Sequence, residues 1–188
     1  FTTINDPSAH FQIATYTGNG SSGNAQTNTG NSNLQPDWLW IKNVSATENH
    51  QIFDSSRGVT KRLYTDLNYD EDDNNSTNFL QSFNTDGFTV GTDSAVNGNG
   101  NSILAYQWKV NGGTEAANTS KSINADIQVN NTAGISIIKY TGNETGSQTL
   151  PHGLSSPWWN GADSPSALFI KSRGSNGDWH VCQSPMAN

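Results

Sequence analysis

The stretch FQIATYTGN (Phe11–Asn19) returns as ISIIKYTGN (Ile135–Asn143) in a chain of 188 residues. Both run from an apolar strand-like segment into the same Tyr-Thr-Gly-Asn. The match continues downstream. Ile41-Lys42 corresponds to Ile170-Lys171, and at the same offset Ile52 corresponds to Val181. Each half reads as a strand, the YTGN turn, a variable loop, a Pro-containing turn (Pro36 in one half, Pro151 or Pro157 in the other), an Ile-Lys strand, a short loop and a further strand. Repetition of this kind indicates duplicated supersecondary units packed on one another. Turn chemistry accounts for YTGN itself, with Tyr anchoring the strand end and Gly and Asn expected at positive φ. Function is therefore expected in the loops that differ between the copies.

No stretch sustains a 3.6-residue apolar period; short apolar runs end in turn residues instead, which predicts an all-β chain. Strands are expected over 11–17, 38–44, 50–54, 59–65, 79–83, 88–92, 103–110, 135–141, 167–171 and 179–183. Asn84-Thr85-Asp86-Gly87 between Phe83 and Phe88 reads as a hairpin connection with Gly87 at positive φ. In WLWIKN, Trp38 and Trp40 share one face and Leu39 and Ile41 the other, so both faces are expected to be covered. In the strand from Ile103, the face of Leu104, Tyr106, Trp108 and Val110 is expected in the core, with Ile103, Ala105, Gln107 and Lys109 opposite. Residues 17–33 and 111–131 hold too little apolar surface for regular elements; the second is the expected crossover or linker, anchored by Ile123, Ile127 and Val129. The predicted architecture is a two-sheet jelly-roll or concanavalin-like sandwich with an internal strand–turn repeat. Residues 1–10 form an arm, and 11–188 a single domain with repeat halves at about 11–57 and 135–183 and an insert at 58–131.

Charged residues make up only 13% of the chain, about half the usual share. The polar surface falls instead to 25 Asn, 18 Gly and many Ser and Thr. A net charge of -7 argues against nonspecific phosphate binding and against an anionic membrane surface, so no nucleic acid is expected. No apolar run approaches the length of a membrane span, and no membrane insertion is expected. Cys182 is the only cysteine and cannot form an internal disulfide.

Catalytic and metal-binding patterns are sparse. A sandwich glycosidase would carry Glu-x-Asp-x-Glu on one strand face, but none of Glu48, Glu71, Glu115 and Glu144 begins that pattern. A Gly-x-Ser-x-Gly elbow is also missing. The chain is read as non-enzymatic, without a cofactor. In NYDEDDNNST, Asp70, Asp72 and Asn74 have the alternate spacing of a calcium loop. Asn75 stands where that loop needs Gly, and Gln81 where it needs Glu. A calcium site and a solvated loop both remain open there. His10, His50, His152 and His180 are dispersed; His180 and Cys182 share a strand face, but two ligands do not make a structural zinc site. In SPWWNGADSP, an exposed Trp158 or Trp159 beside Asn160 would offer an apolar face to a pyranose ring and an amide to its hydroxyls. The alternative is a core lid or a subunit contact.

The motifs YTGNG, LQPDWLWIKN, HQIFDSSRG, LQSFNTDGFTVG, NGNGNSILAYQWK and ISIIKYTGN…HGL…IKSRG, spanning about Phe11 to Trp179, are similar in order and spacing to a known domain. The chain resembles an uncharacterised repeated domain of marine tailed phages, found in tail-fibre-like and other virion structural proteins. The resemblance implies a lectin-like β-sandwich in a virion particle. Its partners would be other virion proteins, copies of itself in a homo-oligomer, and host-surface glycans bound by avidity. It assigns no catalytic residues. A capsid decoration (cement) protein and a soluble carbohydrate-binding module are the alternatives. The second copy is expected to continue beyond DWHVCQSPMAN, completed by another subunit or simply shorter here.

Overall fold

The computed structural model describes residues 4–73, 76–155 and 165–183. The alternating segments become β1 (Phe11–Thr17), β3 (Trp38–Asn43), β4 (Gln51–Asp54), β5 (Lys61–Tyr64), β7 (Leu80–Phe83), β8 (Phe88–Val90), β9 (Ser102–Trp108), β12 (Ile135–Tyr140), β13 (Ala167–Ile170) and β14 (His180–Gln183). Each falls within a residue or two of its expected bounds. Four more strands form outside the expected set: β2 (Asn24–Gln26), β6 (Asp72–Asp73), β10 (Ala116–Asn118) and β11 (Ala125–Asn130). A one-turn helix, α1 (Ser94–Asn97), is capped by the Asp93 side chain on the Ala95 N–H.

The domain is all-β and is built from several antiparallel sheets. The largest runs β1-β9-β3-β4-β5-β6; three smaller ones run β2-β8-β7, β10-β11-β12 and β13-β14. The segment 58–131 does more than join the halves. It supplies β9, which pairs with β1 on one edge and β3 on the other.

The core lies between the inner face of the large sheet and β7-β8. Leu39, Ile41, Phe53, Ile103 and Ala105 meet Leu80, Phe88, Val90 and Val96 there, all essentially inaccessible. The Phe83–Phe88 hairpin forms as expected, with Asn84 N–H bonded to Gly87 O and Gly87 at φ 93°.

Three expectations are corrected. The inward face of β9 is Ile103, Ala105 and Gln107, while Leu104, Tyr106 and Trp108 face outward and only Val110 of that set is buried. Ile103 and Ala105 sit inward because they complete the apolar cluster with Leu80, Phe88 and Val90, and inward Gln107 donates its Nε2 to Asn28 Oδ1, in the loop after β2, at 2.7 Å. The stretch 111–131 is no bare linker, since β10 and β11 pair with each other and β11 with β12. Finally, the YTGN motif has no positive φ at Gly18, Asn19, Gly142 or Asn143; Gly20 and Glu144 carry it instead. Gly18 is needed for close approach, because a Cβ there would lie 2.3 Å from Gly98 O.

The repeat is real in three dimensions at its hairpin. Leu39 faces Phe53 and Trp40 faces Ile52 across β3-β4. Their sequence equivalents, Leu168 with Cys182 and Phe169 with Val181, face each other across β13-β14 in the same register. The Ile-Lys lysine repeats its bond as well: Lys42 Nζ donates to Glu48 O at 2.5 Å, and Lys171 Nζ to the equivalent Gly177 O at 2.6 Å.

Candidate functional site

Period-two alternation on β1, β9 and β3 places one residue of every pair on the outer face of the large sheet. In register, this produces two rows. Phe11 stands opposite Trp108, which stands opposite Trp38; Ile13 stands opposite Tyr106, which stands opposite Trp40. The rings touch in sequence. Phe11 and Trp108 centroids are 4.9 Å apart, and Trp108 stacks on Trp38 at 5.1 Å with a 30° interplanar angle. Tyr106 bridges the rows, 6.2 Å from Trp108 and 5.9 Å from Trp40. Trp40 Nε1 donates to His50 Nδ1 at 3.0 Å, fixing the indole at the end of the row.

The four central rings are half-buried, while Phe11 is 36% and Ile13 52% exposed. Phe169 of β13 touches the other end of the row, edge-on to Trp38 at 6.4 Å. The result is an aromatic strip across three strands, held from behind by a rigid sheet. Such a strip can receive the apolar face of a sugar ring or a flat partner surface. The alternation that builds it is visible in the sequence. Its outward direction is not, because equal hydrophobicity on both faces of β3 and β9 leaves the choice to the layer that packs behind.

The sequence-selected residues lie elsewhere. Trp158, Trp159 and Asn160 fall outside the described residues, as does Asn74. Asp70 and Asp72 border an open hollow of about 360 Å³ with Tyr64, Tyr69, Glu71 and Asp73. Asp72 Oδ2 accepts from Arg62 Nε and Nη2 at 2.8 and 2.5 Å, and Asp73 pairs with Lys61 at 3.2 Å. Among the described residues no three His, Cys, Asp or Glu side chains gather in metal-binding geometry.

Glu71 has a structural role that the sequence does not signal. Its carboxylate accepts from Arg57 Nη1 at 3.0 Å and from Arg173 Nε and Nη2 at 2.8 Å each. Burial pushes its pKa up, but the hydrogen bonds from Arg173 and Arg57 outweigh that and hold it below the ordinary carboxylate value. Glu71 thus joins the loop after β4 to the loop after β13. Alongside it, Gly177 N–H bonds Asn68 O, Trp179 Nε1 bonds Tyr64 O, and Glu71 N–H bonds Arg173 O. A second join runs through buried Asp37 and Gln128. Asp37 accepts from Val110 N, Gly112 N and Ser55 Oγ; Gln128 Oε1 accepts from Asn111 N and Gly113 N. With its oxygens occupied by these donors, Asp37 is a structural carboxylate.

Fold and site together define an all-β domain with an aromatic outer strip on its largest sheet. The chain belongs to the family described as "Domain of unknown function (DUF7483)", which matches residues 6–188. No curated protein and no solved structure gives a match.

Proposed function

We propose that the chain is a non-enzymatic virion structural protein, a tail-fibre or spike component that contacts host-surface glycans through the aromatic strip. The accompanying fold reading is a concanavalin-like two-sheet sandwich. What supports it is the core enclosed between the large sheet and β2-β8-β7. The observation that carries the functional reading is the run of touching rings from Phe11 through Trp108 and Trp38 to Phe169, on an outer face rather than in the core. Sugar rings stack on such faces with little charge involved, and the chain's low charge and abundant Asn suit hydroxyl recognition. A single strip of this kind binds weakly, and a homo-oligomer within the particle makes the contact firm.

The test is a glycan array probed with the wild-type chain, Phe11→Ala and Trp108→Ala. Phe11 is at the exposed edge, so its loss spares the core. The expected result is about a tenfold loss of glycan binding in each variant, with the fold retained by circular dichroism. Unchanged binding in both variants would overturn the glycan reading. Gold-labelled antibody on particles tests placement separately, with label at the tail periphery expected. A second reading, a capsid decoration protein, draws support from the exposed apolar residues Phe169 and Val181 on β13-β14, which suit a subunit contact. Label over the shell would favour it.

A further inference from the structure

In the first copy of the repeat, β9 fills the place between β1 and β3, hydrogen-bonded to both. In the second copy, β12 is the counterpart of β1 and β13 the counterpart of β3. Among the described residues, β12 pairs only with β11 and β13 only with β14. Among the described residues, no strand lies along the other edges of β12 and β13.

Three further correspondences mark residues of the second copy whose twins in the first are fitted to β9 or to the chain that leads into it. Tyr16 is buried, and its hydroxyl donates to Val96 O at 2.6 Å, in the helix that leads into β9; the equivalent Tyr140 is 40% exposed. Gly18 is pressed against the Asn97–Gly98 backbone that precedes β9; the equivalent Gly142 has open space around it. Trp40 packs on Tyr106 of β9; the equivalent Phe169 is 54% exposed, and its cross-strand neighbour Val181 is 60% exposed. Among the described residues, Tyr140 and Gly142 are not packed as their twins are, and the ring contact of Phe169 is with Trp38 rather than with a residue of β9.

We propose that the open edge of β13 is a strand-acceptor site. Its occupant is an extended peptide segment with the residue pattern of β9, from outside these 188 residues. Edge strands expose a row of backbone donors and acceptors that an added antiparallel strand satisfies, and side-chain alternation sets its register. The β3-β9 register carries over directly. It sets Leu168 opposite a Gln107-type residue, Phe169 opposite a Tyr106-type residue and Ile170 opposite an Ala105-type residue. The resident β9 of an identical chain is not the donor, because it is hydrogen-bonded on both edges and forms part of the core. The proposal does not rest on the glycan reading, since the strip and this edge are tested by different ligands.

The experiment uses the whole chain and a fluorescein-labelled synthetic peptide of residues 101–110, NSILAYQWKV. Anisotropy is followed during titration, with amide hydrogen exchange on the complex. The expected result is saturable binding and exchange slowed about tenfold or more within Ala167–Ile170, with β3 amides unchanged as an internal control. A peptide of the same composition in scrambled order should not bind. Four outcomes would overturn the proposal: no saturation, equal binding of the scrambled peptide, protection confined to another edge such as β1 or β7, or a self-associated chain in which β13 is already protected without peptide.

Discussion

Tyr16 and Tyr140 hold the same place in their repeats and meet different surroundings. Burial pushes the phenol of Tyr16 well above its ordinary pKa, and its hydroxyl is bonded to the Val96 carbonyl. Tyr140 stands half in solvent. The same divergence recurs at Leu39 and Leu168, and at Gly18 and Gly142: one twin sealed in the core or against backbone, the other partly exposed. The hairpin register is nonetheless identical in both, and each lysine keeps its bond to the equivalent carbonyl, Glu48 O or Gly177 O. Local sequence therefore specifies the hairpin and its turn. What completes burial in the first copy is the non-repeated segment holding β7, β8, α1 and β9.

Paired substitutions at twin positions sharpen this contrast, each read as a change in unfolding free energy by urea denaturation. The largest difference is expected for Leu39→Ala against Leu168→Ala. Emptying a fully buried leucine site costs about 3–5 kcal/mol, whereas the half-exposed twin should cost less than about 1 kcal/mol. Equal losses would mean that β13 sits in a core as closed as that of β3. Next comes Gly18→Ala, which drives a Cβ into the Gly98 carbonyl oxygen and should cost about 3 kcal/mol, against a change within about 0.5 kcal/mol for Gly142→Ala. The smallest difference is expected for Tyr16→Phe, about 1–2 kcal/mol for one hydrogen bond whose carbonyl is left without its donor, with Tyr140→Phe near zero. Adding the β9-type peptide should bring the Leu168→Ala cost closer to that of Leu39→Ala.

Much of this fold is legible in the residues. Period-two alternation located the strands with apolar faces, the Asn84–Gly87 connection specified its hairpin, and the doubled YTGN announced the repeat. The missed elements have a physical basis. β2 and β10 are short and rich in Asn, Ala and Gln, and they are strands because a neighbour offers a ladder, not because a face is apolar; β11 does alternate, with Ala125, Ile127 and Val129 on one face, but its surroundings of Gly, Asn, Ser and Thr hid it. The direction of β9 was unreadable locally, since both its faces hold residues that a core accepts. The aromatic strip followed from that direction and stayed hidden with it. Asp37, Glu71 and Gln128 carry no motif either. Each is an ordinary polar residue given a role by groups distant in the chain.

The Glu71 clasp gives the molecule two separate weak points. Within the first copy, cohesion comes from apolar burial, which is indifferent to pH and fades on cooling. Between the loops of the two copies, part of it comes from one carboxylate shared by two guanidinium groups. Because the folded pKa of Glu71 lies below its unfolded value, that contribution is present above the unfolded pKa and disappears as pH falls through the folded one. Acid and cold thus act on different parts of one chain, and acidification to below the ordinary carboxylate range loosens the second hairpin's tether, whereas the apolar burial of the first copy's core does not itself respond to acid.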